Sequence, residues 1–172
     1  VSESFQAMSF NLCGQNEHVP EIERYIRTVK DRTRSAYNSL PFQRIPRLMI
    51  VRMIGNSVFW LNAFTPNDGG TGELSPRYLL TGRQLDYTKH VRLEFGAFVQ
   101  THEEHTNDMR ARTVGAICLG PTGNEQGGHS FMSLTTGRKL TRHKWTPIPM
   151  AQDVIDCVNA LGKKQKMPKA LT

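Results

Sequence analysis

Cysteine is scarce in this chain of 172 residues, and its spacing argues against two structural roles. Cys13, Cys118 and Cys157 are far apart in sequence and form no C-x-x-C pair. Disulfide frameworks and zinc fingers both need paired or closely spaced cysteines. We therefore expect structural thiols in a reducing, intracellular compartment.

Long apolar runs and an N-terminal leader are also lacking. The most apolar stretch, Leu48 to Leu61, is interrupted by Arg52 and Asn56 and is shorter than the about 20 residues that span a bilayer. We therefore expect this stretch to be a buried helix and not a transmembrane one. We expect no membrane partner, although the charge of the chain would not by itself distinguish nucleic acid from an acidic membrane surface. The chain begins at Val1 with no methionine, apolar signal region or charged leader. We expect it to be a segment of a longer protein.

Negative charge is in deficit. The chain has 22 lysines and arginines against 15 aspartates and glutamates, which gives a net charge of +7 and a pI near 9.6. This balance favours a polyanionic partner, and nucleic acid is the commonest. The length allows one domain or two small ones with a buried core.

The stretch NEHVPEIERYIRTVKDRTR, residues 16–34, predicts an amphipathic helix. Pro20 suits its first turn, where a missing N–H costs nothing. One line of residues at steps of three and four is apolar and predicts a buried face: Ile22, Ile26, Val29, Ala36, Tyr37 and Leu40. A second line holds one carboxylate and three cations: Glu23, Arg27, Lys30 and Arg34. By spacing alone, this second line is typical of a solvated helix face.

The string IERYIRTVK resembles the helix that bears the last acid of the DDE-type integrases of retroviruses and copia-type retrotransposons. Matched residue by residue, the family's metal-binding glutamate falls on Glu23. The cations that lie along the element's DNA end in the family fall on Arg27 and Lys30. The family's usual Asn-Gly before the acid is replaced here by residues 16–20, so Glu21 stays the alternative for the acid.

The rest of the chain predicts two more helices and then short strands. A second helix, from Pro46 to about Phe64, is apolar around most of its circumference, which is typical of a core helix. A short helix is expected between Ser75 as its N-cap and Gly82 as its stop. Four segments separated by turn-rich stretches predict a small barrel or curled sheet: EFGAFVQTH, VGAICLGP, HSFMSL and RKLTRHKW. The segment AQDVIDCVNAL predicts a last helix that stops at Gly162.

The β-rich segments are similar to the small β domain that follows the core of copia-type integrases, so the resemblance runs roughly from Phe10 to Met150. It implies an α/β fold. Residues 1–64 would be the C-terminal portion of an RNase H-like integrase core, with a strand at Ser9 to Cys13. Residues 65–92 would be a linker with a short helix, residues 93–149 a small, mostly antiparallel, barrel-like β domain, and residues 150–172 a helix with a basic tail.

The resemblance also implies a reaction, the metal-dependent joining of the element's 3′ ends to host DNA. The intact enzyme would use Mg²⁺ or Mn²⁺, held by Glu23 and by two aspartates upstream of Val1. We therefore expect this chain alone to be inactive and to hold no metal tightly. The implied partners are element and host DNA, other integrase protomers and the rest of the Pol polyprotein. The implied locations are the nucleus and a cytoplasmic virus-like particle.

Two groups of basic residues are candidates for contact with DNA phosphates. The first, on the first helix, consists of Arg24, Arg27, Lys30 and Arg34, and the second, beside Trp145, consists of Arg138, Lys139, Arg142 and Lys144. If residues 138–145 form one strand, alternation places Arg138, Arg142 and Lys144 on the same side. A solvated strand edge protected by charge would show the same pattern. A non-catalytic nucleic-acid-binding module and a decayed retroelement relic remain the alternatives to integrase.

Overall fold

The computed structural model describes residues 19–65, 74–103, 109 and 111–169. Its helices are α1 (Pro20–Asn38), α2 (Arg47–Ala63), α3 (Pro76–Thr81), α4 (Tyr87–His90) and α5 (Gln152–Lys164). Its strands are β1 (Phe98–His102), β2 (Thr113–Pro121), β3 (His129–Ser133), β4 (Lys139–Arg142) and β5 (Trp145–Pro147). The predicted α/β class is confirmed, and the strand expected at residues 9–13 lies outside the described residues. No described helix is long and apolar enough to cross a membrane.

The five strands form one antiparallel sheet in the order β4-β3-β2-β1-β5. Strands β4 and β5 lie at opposite edges, yet only His143 and Lys144 separate them in the chain. Two intervening residues let the ends of the two strands lie at most about 11 Å apart. The open sheet therefore curls until its edges approach each other at this end. The prediction of one strand through residues 138–145 is wrong, because the chain crosses from one edge to the other there.

One face of the sheet packs against α2 and α5. Met49 and Met53 of α2 are fully buried against the sheet residues Ile117 and Met132. The other buried members of this cluster are Phe42, Ile45, Leu119, Val154 and Val158. Helix α2 thus packs directly on the sheet. The predicted domain boundaries at residues 64 and 92 stay predictions.

The inner side of the curl has its own apolar cluster. Val99, Ala116, Cys118 and Phe131 are buried there, with Trp145 of β5 packed against them. Burial raises the pKa of the Cys118 thiol to about 12. A thiol reacts as its thiolate, so Cys118 is an inert packing residue at neutral pH, as its spacing predicts.

Helix α2 is less buried than its sequence suggests. Along α2 the buried residues are Met49, Met53, Ser57 and Ala63, whereas Val51 is 60% exposed and Ile54 is 44% exposed. The prediction of a helix buried on nearly every side is wrong, because the sheet and helices α1 and α3 leave the side of α2 that carries Val51 and Ile54 exposed. Helix α1 has no buried residue, and Ile22 and Ile26 of its predicted buried stripe are 58% and 47% exposed.

Helix α5 is held by the segment that joins α1 to α2. The Asn159 side-chain oxygen accepts hydrogen bonds from the backbone N–H groups of Gln43 and Arg44, each at 2.9 Å. The side-chain oxygen of Gln165 accepts from the N–H of Arg47 at 2.8 Å. Gly162 lies where the Arg44 carbonyl approaches the helix. The predicted stop at Gly162 is wrong, because this glycine permits a close contact inside a helix that continues to Lys164.

We expect Gly162→Ala to lower the free energy of unfolding by about 1 to 3 kcal/mol. The added Cβ would lie 2.5 Å from the Arg44 carbonyl oxygen and 2.9 Å from its carbon, so backbone must move. Urea denaturation measures the change. Gly55→Ala is the matched control, because Gly55 is an exposed helical glycine of α2 with no atom within 4 Å of the new Cβ. The control should be neutral or stabilising by up to about 1 kcal/mol; equal losses in both variants would contradict the proposed contact.

Candidate nucleic-acid interface

The predicted acidic and basic line of α1 forms one exposed surface. At 100° per residue, Arg27, Lys30 and Arg34 all lie within about 40° of the direction of Glu23. The four side chains line a shallow depression of about 320 Å³ together with Ile26 and Asp31. A carboxylate and three cations thus share one side of the helix, and Arg24 is exposed on the adjacent side.

Glu21 and Glu23 occupy different sides of the same first turn of α1. Both carboxylates lie near the positive end of the helix dipole, which favours negative charge. Two helical steps separate the side chains by about 200°. Of the two, Glu23 shares the depression with Arg27 and Lys30. Its assignment over Glu21 as the catalytic acid stays a prediction.

The described carboxylates do not by themselves fit a two-metal site. Such a site needs several oxygen ligands converging on ions about 4 Å apart. The described part of the chain contains no group of three or more histidines, cysteines, aspartates or glutamates that could hold an ion. In the α1 depression the acids are Glu23 and Asp31. The role of Glu23 as a metal ligand, and Mg²⁺ or Mn²⁺ as the cofactor, therefore stay expectations for an intact enzyme.

The second basic group is divided between two edges of the sheet. Arg138 precedes β4 and Lys139 begins it, and both are exposed, as is Lys144 in the connection to β5. Arg142 differs, because its Nη2 forms an ion pair with Glu103 at 2.6 Å and the two side chains are only 33% and 29% exposed. Its charge is therefore largely committed within the protein. Arg138, Lys139 and Lys144 remain the more available candidates.

The sequence does not predict that a buried histidine, His129, lies beside the basic residues of β4. His129 is fully buried, with its ring centroid 4.6 Å from that of Trp145 and 6.4 Å from that of Phe131. The guanidinium of Arg92 lies over the Trp145 ring, 5.3 Å from its centroid. Burial lowers the pKa of His129, although a hydrogen-bonding contact of Nδ1 with the Gly127 carbonyl opposes the shift. The cluster joins residues of β3 and β5, two strands that are not neighbours in the sheet, with Arg92, so no local sequence motif signals it.

We expect the chain to become less stable as the pH falls below the ordinary histidine value of 6.5. The unfolded chain binds a proton at His129 in that range and the folded chain does not, so the unfolding free energy drops by up to about 1.4 kcal/mol per pH unit. The drop should continue until the pH reaches the lower folded pKa. Urea denaturation at pH 7.5, 6.5 and 5.5 measures it. The dependence should shrink in His129→Phe and persist in His102→Gln, where the side chain is exposed; an unchanged dependence in His129→Phe would refute the assignment.

Comparisons of the chain with models of protein families, with curated proteins and with solved structures find no match. The similarity to integrases consequently depends on the residues of α1 and of the β-rich segments themselves, and the surfaces of the molecule bear on its function.

Proposed function

We propose that this chain is the C-terminal part of a copia-type retrotransposon integrase that binds DNA through two basic surfaces. The observation that carries the proposal is the single exposed face of α1, on which Glu23 is followed by Arg27, Lys30 and Arg34. The order and spacing of Glu23, Arg27 and Lys30 match the integrase helix. The net charge of +7 supports a polyanionic partner.

The fold is compatible with the finer architecture that this proposal requires. Helices α1 and α2 would be the end of an RNase H-like core, and the five-stranded sheet would be the small barrel-like domain that follows it. The curl supports the second assignment, because a two-residue connection between opposite edges is what a nearly closed small sheet needs. The exposed apolar residues Ile22, Ile26 and Ile54 offer a surface for the rest of the Pol polyprotein.

The residues of this chain would hold DNA and supply one ligand of the reaction centre. Arg27 and Lys30 would contact phosphates of the element's end, and Glu23 would provide a carboxylate beside them. The metal ions, when bound by the complete set of carboxylates, would supply activation of the attacking hydroxyl and of the leaving oxygen. DNA joining would take place in assemblies of several protomers, in the nucleus and after packaging in a virus-like particle.

We expect the double substitution Arg27→Gln with Lys30→Gln to weaken duplex binding and to reduce its salt dependence. Each lost phosphate contact should lower the slope of log K against log salt by about 0.9. Fluorescence anisotropy with a labelled DNA duplex between low and moderate salt measures both quantities. Lys163→Gln with Lys164→Gln is the matched control, because it removes the same charge from the exposed last turn of α5. Equal losses in the two double variants would show a general charge effect and reject the α1 surface.

A non-catalytic nucleic-acid-binding module is the second candidate. Two features of the α1 depression favour it: three cations surround Glu23, and Asp31 is the one further acid among the residues that line the depression. The two candidates differ in a protein extended upstream of Val1 in the same reading frame. An integrase should have two aspartates on strand-like segments there, and Glu23→Gln should abolish strand transfer without weakening duplex binding. A stop codon or an unrelated domain upstream rejects the catalytic proposal.

A cooperative thermal transition of the isolated chain would argue against a decayed relic.

A further inference from the structure

Arg77 of α3 is a half-buried cation without a carboxylate partner among the described residues. Its guanidinium lies over the ring of Phe59, 5.3 Å from the centroid. Its Nη2 donates a hydrogen bond to the carbonyl of Gly123 at 2.6 Å, while its Nε is buried and has no hydrogen-bond partner in the described part of the chain. A guanidinium removed from water in this way gains from a nearby anion. Among the described residues, the guanidinium contacts an aromatic ring and a neutral carbonyl but no carboxylate.

The surroundings of Arg77 form a cleft of about 610 Å³ between α3, α4 and the loop from β2 to β3. Two further cations line it, but each has an acidic partner in the same cleft. Arg83 pairs with Glu125 at 2.6 Å, and Lys89 pairs with Asp86 at 3.2 Å. Three basic side chains therefore face two acidic ones, and the surplus positive charge belongs to Arg77. The lining also includes three neutral amide side chains, Gln84, Asn124 and Gln126, together with Thr81, Leu85 and His90.

The loop is built to hold the guanidinium in this position. Gly123 has a φ of +75°, and a Cβ there would lie 2.8 Å from the Phe59 ring and 3.1 Å from Arg77 Nη2. Glycine is thus needed both for the backbone conformation and for the close approach of the two side chains. The Phe59 ring is itself fixed by an edge contact with Trp60, with centroids 5.1 Å apart. Arg77 is consequently preorganised before any ligand arrives.

We propose that this cleft binds a backbone phosphate of a nucleic acid, with Arg77 as the principal cation. The assignment rests on the proposed function for the identity of the polymer, but it adds a contact far from the two predicted basic groups in sequence. A phosphodiester carries one negative charge, which matches the one described cation of the cleft lining that has no carboxylate partner. The terminal phosphate of a free nucleotide approaches two charges at neutral pH and would leave one of them beside Asp86 and Glu125. The amide side chains can donate to the remaining phosphate oxygens.

The test compares Arg77→Gln with Arg112→Gln in duplex binding by fluorescence anisotropy. Arg112 is an exposed arginine that precedes β2, whereas Gly123 follows it, so roughly 27 Å of strand separates the control from the cleft. Arg77→Gln should weaken binding several-fold and reduce the salt slope by about 0.9, and Arg112→Gln should change neither. Arg77→Lys keeps the charge and should retain the slope. Thermal unfolding of each variant establishes that it is folded.

The outcomes separate the two proposals. Duplex binding that depends on Arg27 and Lys30 but not on Arg77 overturns the cleft alone. Binding that depends on Arg77 but not on α1 supports the cleft and rejects the α1 surface, and a wild-type chain that does not bind duplex overturns both. NMR chemical-shift changes of the Gly123 backbone amide distinguish a phosphodiester of a nucleic-acid backbone from the phosphate of a free nucleotide. A thymidine dinucleotide, whose one phosphate is a diester, should shift this signal more than thymidine monophosphate, and the reverse order overturns the assignment to a backbone phosphate.

Discussion

The short connection between β4 and β5 is the constraint on which the sheet depends. Because His143 and Lys144 must join opposite edges, the sheet curls and places Trp145 over His129 and Phe131 of β3. The ion pair between Glu103, which follows β1, and Arg142, which ends β4, bridges the same opening. A backbone hydrogen bond from the His102 N–H to the Lys144 carbonyl continues the pairing of β1 with β5 into the connection. The inner apolar cluster is thus buried without a second sheet.

The helices cover the other face of the sheet and connect it to the exposed face of α1 and to the Arg77 cleft. Met49 and Met53 place α2 on β2 and β3, and Ser57, one turn further along the same buried side of α2, contacts the Thr33 hydroxyl of α1 at 3.3 Å. Near its C-terminal end, α2 carries Phe59, and the guanidinium of Arg77 packs over the ring of Phe59. One helix therefore fixes both the helix that bears Glu23 and the cleft. A change that shifts α2 on the sheet would move both surfaces together.

Local rules predict much of the secondary structure and little of what joins it. Pro20 begins α1, and Ser75 and Gly82 bound α3 as their cap chemistry requires, with a Ser75 hydroxyl contact to the Tyr78 N–H and a φ of +64° at Gly82. The strand breaks at His143 because the chain crosses there to the opposite edge of the sheet. Helix α5 continues through Gly162 because the glycine leaves room for the Arg44 carbonyl. The pairing of Arg142 with Glu103 joins residues 39 positions apart. Periodicity reports one element at a time, so it cannot reveal these long-range constraints.

The same limit applies to charge. A net charge of +7 predicts a polyanionic partner, but four basic side chains of the described residues are paired with carboxylates: Arg34, Arg83, Lys89 and Arg142. The pair of Arg34 is exposed, so its attraction is weak and a phosphate could compete with Asp31. The ion pair between Arg142 and Glu103 is partly buried, so a phosphate would replace the Glu103 carboxylate less readily. Arg77 has neither kind of partner within the described chain. The distribution of acids around each cation, more than the sum of charges, therefore determines where a polyanion gains most by binding.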